Sequence, residues 1–378
     1  MMIYLDNAAT SAKKPLKVTL KMWHETLFSS VNAGRGAHRQ SIKAIEGINK
    51  TSETLAKLFG IKNPMRIAYT PNATYAINMG ILGVLKSGDH VITTAIDHNS
   101  VLRPVAKWGN FTVVPADENG YVNPKDIENA IKPETALVVC THVSNVCGTV
   151  QDIEKISEIC RKYGIMFMLD AAQSAGITKI NAEKTGIDLL AFSGHKGLMG
   201  PLGTGGLYVA EGVEIEPIIT GGTGSMSESV LQPRFMPDML QSGTMNTPAI
   251  MALGVAAGIA YDNIDYTHRY ESYLAQSFTD DLMCMENVTV YAPYAEDKNG
   301  TVAFNIAGCD PSEVEDFLDR EKNIIVRAGY HCAPLAHKAL GSGETGSVRA
   351  SFGIFNTIFD KNALSDSIYE LSKKSTHK

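Results

Sequence analysis

Lys196 stands in the run Ala191-Phe192-Ser193-Gly194-His195-Lys196-Gly197, and Asp170 closes the apolar stretch Met166-Phe167-Met168-Leu169. A lysine amine condenses with an aldehyde to give an imine, and a carboxylate can hold a pyridine nitrogen protonated. Together they make the ring an electron sink, so the pair predicts a pyridoxal 5'-phosphate site. A phosphate needs backbone N–H groups at a helix start, with hydroxyls beside them. Thr70-Pro71-Asn72-Ala73-Thr74 offers the Ala73 N–H and the Thr74 hydroxyl, and Ser193 and His195 flank the lysine with polar groups suited to the same use. His98, in Asp97-His98-Asn99-Ser100, is placed to lie flat on the ring. Asn145, in Ser144-Asn145-Val146-Cys147-Gly148-Thr149, can reach the ring hydroxyl or the substrate, and Gln173 can donate toward the phenolic oxygen. Each segment alone also reads as an ordinary turn, cap or solvated loop. Their joint presence with Lys196 gives them weight.

A nucleophile of another kind lies in Arg327-Ala328-Gly329-Tyr330-His331-Cys332-Ala333-Pro334. A cysteine thiolate is a soft nucleophile, and positive charge on Arg327 and His331 would favour it. The plain alternative is a small buried side chain in a Gly-bounded turn. Cys147 passes close to the expected ring and is either a second thiol or simple packing.

These residues need a scaffold that brings strand ends together. Short β-branched or aromatic runs at 66–69, 90–93, 111–114, 136–140, 165–169, 189–192 and 206–209 alternate with stretches of helical period such as 74–86 and 153–163. That alternation predicts an α/β domain with a mainly parallel, seven-stranded sheet. Most of the candidate residues follow a strand, at the carboxyl edge where such sheets bind ligands. Asn123-Pro124 and Asp310-Pro311 mark helix starts, and Glu313 completes a capping-box spacing with Asp310. After about residue 250 come a small-residue helix over 249–260, a second helix to about 285, strands at 288–291 and 302–306, and a closing helix from about 360. The expected division is a large domain over 13–250 and a smaller α+β domain over 251–378.

With 378 residues, 44% hydrophobic and 20% charged, the chain exceeds the usual size of one core. A net charge of −6 without a basic block argues against nucleic-acid or anionic-membrane partners. The stretch 239–261 is broken by Gln241, Ser242, Thr244, Asn246, Thr247 and Pro248, so no membrane span is expected. The first residues lack a signal-like pattern, and six cysteines without a CxxC pair suggest reduced thiols and a cytoplasmic location.

The set resembles the fold-type-I pyridoxal-phosphate enzymes of the aminotransferase class V superfamily, from Tyr4-Leu5-Asp6-Asn7-Ala8-Ala9-Thr10 to Arg349-Ala350-Ser351-Phe352-Gly353. Residues 327–334 resemble the short-loop R-x-G-x-H-C-A motif of its cysteine desulfurase and selenocysteine lyase branch, with Tyr330 where familiar members carry histidine. The resemblance implies a homodimer in which Thr244, within Gln241–Thr247, reaches the cofactor phosphate of the partner subunit. It implies that residues 1–12 join the small domain, with Ala9 bordering the substrate, and that Arg349 grips the substrate carboxylate, a task for which a guanidinium fork has the right shape. Arg35 and His38 resemble an entrance segment, or a plain helix start.

The implied reaction uses L-cysteine: Lys196 takes the Cα proton, Asp170 keeps the ring protonated, and Cys332 attacks the substrate sulfur, leaving a persulfide and L-alanine. His98 stacks and shuttles protons. The rival readings are a selenocysteine lyase, a class V aminotransferase, lyase or epimerase in which Cys332 is a bystander, and a cofactor-free scaffold. The protein that accepts the sulfur is not identified by the sequence, and no metal site is expected.

Overall fold

A computed structural model of the chain describes residues 2–34, 36 and 38–375. After a two-residue strand, β1 (Ile3–Tyr4), come β2 (Ile67–Thr70), β3 (His90–Thr94), β4 (Phe111–Val114), β5 (Thr135–Thr141), β6 (Met166–Asp170), β7 (Leu189–Ser193) and β8 (Gly205–Val209). Strands β2 to β8 form one seven-stranded sheet in the order β2-β8-β7-β6-β5-β3-β4. Every neighbour pair is parallel except the two made by β8. β2 and β7 both oppose β8, so the carboxyl ends of β2, β7, β6, β5 and β3 share one edge.

The inner strands are buried almost without alternation, as residues covered by helices on both faces must be. One face carries a core that includes Phe59, Phe167, Phe192 and Leu253, and the other a core around Ile77, Val101, Met168 and Leu207. Among the helices are α1 (Leu16–Phe28), α2 (Arg39–Phe59), α3 (Ala73–Val84), α4 (Asn99–Trp108), α5 (Pro124–Asn129), α6 (Ile153–Tyr163) and α7 (Ala182–Thr185). The starts of α3, α4 and α6 are capped by Asn72, His98 and Asp152. The expected cap at Asn123 is present on α5.

The sequence suggests two helices between 249 and 285, yet residues Thr247–Met283 form one 37-residue helix, α8. No proline or glycine interrupts its second half. The helix can run on because its buried residues change partner: Leu253, Ala257, Ala260 and Ile264 pack into the large sheet's core, while Leu274, Ala275, Phe278 and Leu282 belong to a second core. Gly254 lets α2 come close, since a Cβ there would lie 2.4 Å from Thr51 Oγ1.

The second core is roofed by a four-stranded antiparallel sheet built from β9 (Val288–Tyr291), β10 (Thr301–Ile306), β12 (Arg327–Gly329) and β13 (Ser347–Ser351), in the order β12-β13-β10-β9. Strand β11 (Ile324–Ile325) pairs instead with β1, in parallel, so the start of the chain is stitched to the smaller sheet's neighbourhood. Helices α9 (Pro311–Lys322), α10 (Pro334–Leu340) and α11 (Ile358–Ser375) complete it. α9 begins with the full capping box of Asp310 and Glu313. No helix of the described residues is long and apolar enough to cross a membrane.

Candidate active site

The shared carboxyl edge gathers the candidate residues. Asp170 ends β6 and Gln173 follows it; Ser193 ends β7, three residues before Lys196; Asn145 follows β5; His98 follows β3; Ala73 and Thr74 open α3 after β2. Asp97 ties two of these ends together. Fully buried, its carboxylate accepts from Thr93 Oγ1 at 2.6 Å, Thr94 N at 2.7 Å and Thr141 N at 2.7 Å. Burial pushes its pKa up to about 6 against those donors.

Lys196 is half-buried, and its Nζ has no hydrogen-bond or ion-pair partner among the described residues. Desolvation lowers its pKa to about 8, with Asp170 as the main charge pulling the other way. Asp170 is buried and its pKa is raised by burial; the Ala172 N–H, 2.9 Å from Oδ1, and Lys196 oppose that rise. An unpartnered amine thus faces a buried carboxylate that has one hydrogen bond. A pyridine aldehyde would give each its missing partner, so the residues fit the expected cofactor.

His98 caps α4: its Nδ1 accepts from Ser100 N at 3.0 Å, which leaves the ring proton on Nε2. Desolvation, aided by Lys196 and Arg349, drops its pKa to about 4, so the ring is neutral at physiological pH. Some expected contacts are already occupied. The Ala73 N–H donates to Ser193 Oγ at 3.0 Å, and Gln173 Nε2 donates to the Ala8 carbonyl at 2.9 Å. Thr74 is exposed. His195 Nδ1 lies 3.1 Å from Thr10 Oγ1, and burial with Lys196 and Lys14 nearby lowers its pKa to about 4. Ala9 is half-buried in a turn, its N–H donating to the Asp6 carbonyl. Thr244 is exposed on a loop that shares a depression with Thr70, Pro71 and Tyr75 of its own chain. His38 caps α2 and accepts from Ser41 N, while Arg35 lies outside the described residues.

The start of the chain closes this edge. Ser11 N, Ser11 Oγ and Lys14 Nζ all donate to the His195 carbonyl, at 3.1, 3.0 and 2.9 Å. A cavity beside Lys196 is lined by Asn7, Ala8, Gln173, Glu271 and Phe352 among others.

Cys332 reaches the same place from the side of the smaller sheet, in the turn between β12 and α10. The Asn99 N–H donates to the Cys332 carbonyl at 2.7 Å, and Asn145 Nδ2 donates to the His331 carbonyl at 2.8 Å. Its side chain is exposed, in contrast to the buried Arg349. His331 and Cys332 both sit in the left-handed region, with φ of 49° and 56°. Each such non-glycine residue costs roughly 1–3 kcal/mol and persists only where its surroundings impose it. The expectation that His331 would lend positive charge to the thiol is corrected by the structure: burial and the neighbouring Arg349 push its pKa down to about 2, so it is neutral. Cys147 is fully buried with Sγ 3.2 Å from Thr149 Oγ1, which suits packing.

Arg349, on β13, is 2% exposed. Its Nη1 donates to the Asn145 carbonyl at 2.9 Å and its Nη2 to Asp6 Oδ1 at 2.6 Å, while Nε is buried without a partner. Asp6 Oδ2 also lies 3.8 Å from Arg327 Nη1. Asp6 has no role readable from the opening segment, residues 4–10; nothing local marks it as the counter-ion of an arginine on a distant strand.

A mainly parallel sheet with an amine, a buried carboxylate and a thiol at its carboxyl edge defines a class of protein. The chain belongs to the aminotransferase class-V family, whose pattern it matches over residues 3–364, and members of this family depend on pyridoxal phosphate. More particularly, it is 34% identical over 383 residues to a probable cysteine desulfurase of Methanothermobacter thermautotrophicus, covering 98% of this chain and 94% of that one. A probable cysteine desulfurase of Pyrococcus abyssi is 34% identical over 390 residues, with the same coverage. The solved apo cysteine desulfurase of Thermococcus onnurineus superposes with a TM-score of 0.92 at 33% identity, over 99% of this chain and 95% of that one.

Proposed function

We propose that this chain is a pyridoxal-phosphate-dependent cysteine desulfurase, which converts L-cysteine to L-alanine and keeps the sulfur on Cys332 as a persulfide. The observation that carries the reading is the docking of the Cys332 loop on Asn99 and Asn145, which sets an exposed thiol at the edge that holds Lys196 and Asp170. The relatives are named for cysteine, and the reading follows them.

Pyridoxal phosphate, when bound, supplies an imine-linked ring that accepts the electron pair left when the Cα proton departs. Lys196 would hold it, Asp170 would partner the ring nitrogen, His98 would cover a face, and Asn145 and Gln173 would serve the ring hydroxyl. Ala73, Thr74, Ser193 and His195 would serve the phosphate, the Ala73 N–H by exchanging its bond to Ser193 Oγ for one to the phosphate. Arg349 binds the substrate carboxylate beside Asn145 and Ala9, its fork held in orientation by Asp6 and the Asn145 carbonyl. The lysine amine, already brought down to about 8 by burial, takes the proton from Cα. The Cys332 sulfur attacks the substrate sulfur: an S–S bond forms, the C–S bond breaks and its electron pair stays with Cβ; one proton at Cβ and one returned to Cα give alanine. Neutral His98, with its proton on Nε2, is suited to cover the ring and to pass protons.

The reading includes a homodimer in the cytoplasm, Thr244 serving the phosphate of the partner subunit and an acceptor protein taking the sulfur. Exposed Leu16, Leu20, Trp23, Leu27 and Phe28 on α1 support burial of that face in an assembly. The decisive test is mass spectrometry of the Cys332 peptide after exposure to L-cysteine without reductant. A gain of one sulfur atom, lost in Cys332→Ala, supports the reading; undiminished alanine formation by Cys332→Ala refutes it.

A further inference from the structure

Behind the Cys332 loop lies a chain of polar groups with no place in the reaction described above. His331 Nε2 is 3.1 Å from the Arg327 carbonyl, His331 Nδ1 is 3.1 Å from His337 Nε2, and His337 Nδ1 is 2.6 Å from Ser342 Oγ. A carbonyl oxygen only accepts, so His331 carries its proton on Nε2. Being neutral, it has a bare Nδ1, which accepts from His337 Nε2–H. His337 Nδ1 is then bare and accepts the Ser342 hydroxyl proton. Every tautomer is fixed by the one before it, and burial keeps both imidazoles neutral.

The three side chains are 6%, 1% and 3% exposed, in contrast to the open thiol next to them. The two rings stack at 5.2 Å with 28° between planes, and Tyr330 meets His337 edge-on at 5.5 Å. Tyr330 is itself held by a hydrogen bond from its hydroxyl to the Glu344 carbonyl. His337 belongs to α10, and Ser342 follows the glycine that ends that helix. The chain of hydrogen bonds therefore ties the loop to a helix on one side, while Asn99 and Asn145 hold its backbone on the other.

We propose that His337 and Ser342 are positioning residues for Cys332: through His331 they hold two consecutive left-handed residues in the conformation that presents the thiol. The proposal rests on the desulfurase reading and deepens it. The hydrogen-bond chain ends on a backbone carbonyl, and among the described residues none of its side chains hydrogen-bonds to Cys332 Sγ. It is a clamp on the loop that carries the thiol.

The test uses the cofactor-loaded enzyme and its His337→Phe, His337→Gln and Ser342→Ala variants. Two rates are read: single-turnover formation of the Cys332 persulfide from L-cysteine, and exchange of the Cα hydrogen of L-alanine in deuterated water, which needs Lys196 but no thiol. His337→Phe removes one acceptor and one donor from a buried chain, so persulfide formation falls at least about tenfold, while alanine exchange stays within about twofold of wild type. Glutamine can donate to His331 and accept from Ser342 at once, so His337→Gln recovers most of the lost rate. Wild-type persulfide formation by His337→Phe overturns the proposal. If that variant loses both rates alike, Ser342→Ala decides: a selective loss of persulfide formation upholds the clamp, and its absence overturns it. Failure of the desulfurase reading is separate, because the wild-type enzyme itself would then gain no sulfur.

Discussion

Replacing Arg349 by lysine keeps the charge and removes the fork. In the native chain Nη2 lies 2.6 Å from Asp6 and Nη1 2.9 Å from the Asn145 carbonyl, so the plane of the guanidinium is fixed before any ligand arrives. A single ammonium cannot keep both anchors and still meet a carboxylate with two parallel bonds. The loss of one charge-assisted hydrogen bond, worth about 1.5–3 kcal/mol, corresponds to a rise in KM for L-cysteine of about 10- to 150-fold. A smaller fall in kcat accompanies it, because Asn145, deprived of its partner, also holds the His331 carbonyl beside Cys332. The assay is steady-state alanine formation together with competition by two ligands, L-alanine and 2-aminoethanethiol, which lacks the carboxylate. Only the first should lose affinity. An unmoved KM, or equal loss for both competitors, would refute the argument that this arginine reads the carboxylate.

Other outcomes follow from the same structure. Lys196→Ala should lack the absorbance band expected near roughly 420 nm for a lysine imine and should escape labelling by borohydride. Cys332→Ala should retain that band and alanine Cα exchange but make no persulfide, as read by mass spectrometry. Glu271, fully buried in α8, has its carboxyl raised to about 8 by burial. Its folded pKa exceeds the unfolded one, so its contribution is fully present below the unfolded value and is lost as pH rises toward 8, by roughly 5 kcal/mol at most. Urea unfolding of Glu271→Gln should therefore show a smaller drop in stability between pH 6 and pH 9 than wild type; a parallel drop would contradict this. Phe278 lies 5.7 Å from both Phe304 and Phe352 in the second core. Phe278→Ala should cost about 3–5 kcal/mol in the same assay.

The large sheet is legible in the sequence because its strands are short apolar runs ended by polar or glycine-rich turns, and all seven fall where those runs lie. Burial on both faces leaves little room for a competing pattern. The smaller sheet is half legible. β9 and β10 are β-branched runs, whereas β12 and β13 are three and five residues long, and β13 is Ser-Val-Arg-Ala-Ser, whose burial comes from partners far along the chain. The single long helix α8 escapes a local reading because Tyr261, Asp262 and Asn263 look like a break, and only the change of packing partner explains its continuity. At the site, residue type and position after a strand suffice for Lys196, Asp170 and His98. The pairing of Asp6 with Arg349 spans 343 positions, and the neutral state of His331 depends on burial and on Arg349, so neither is readable from spacing.

Residues 3–14 touch three separate parts of the molecule. β1 lies alongside β11, Asp6 neutralises the arginine of β13, and Ser11 and Lys14 grasp the carbonyl immediately before Lys196. Trimming this leader, by protease or by a shortened expression clone, would unhook the smaller sheet and the lysine turn in one cut. Enzyme clipped there should lose cofactor retention while much of its far-ultraviolet circular dichroism survives, and such preparations would be mistaken for correctly folded but unloaded protein.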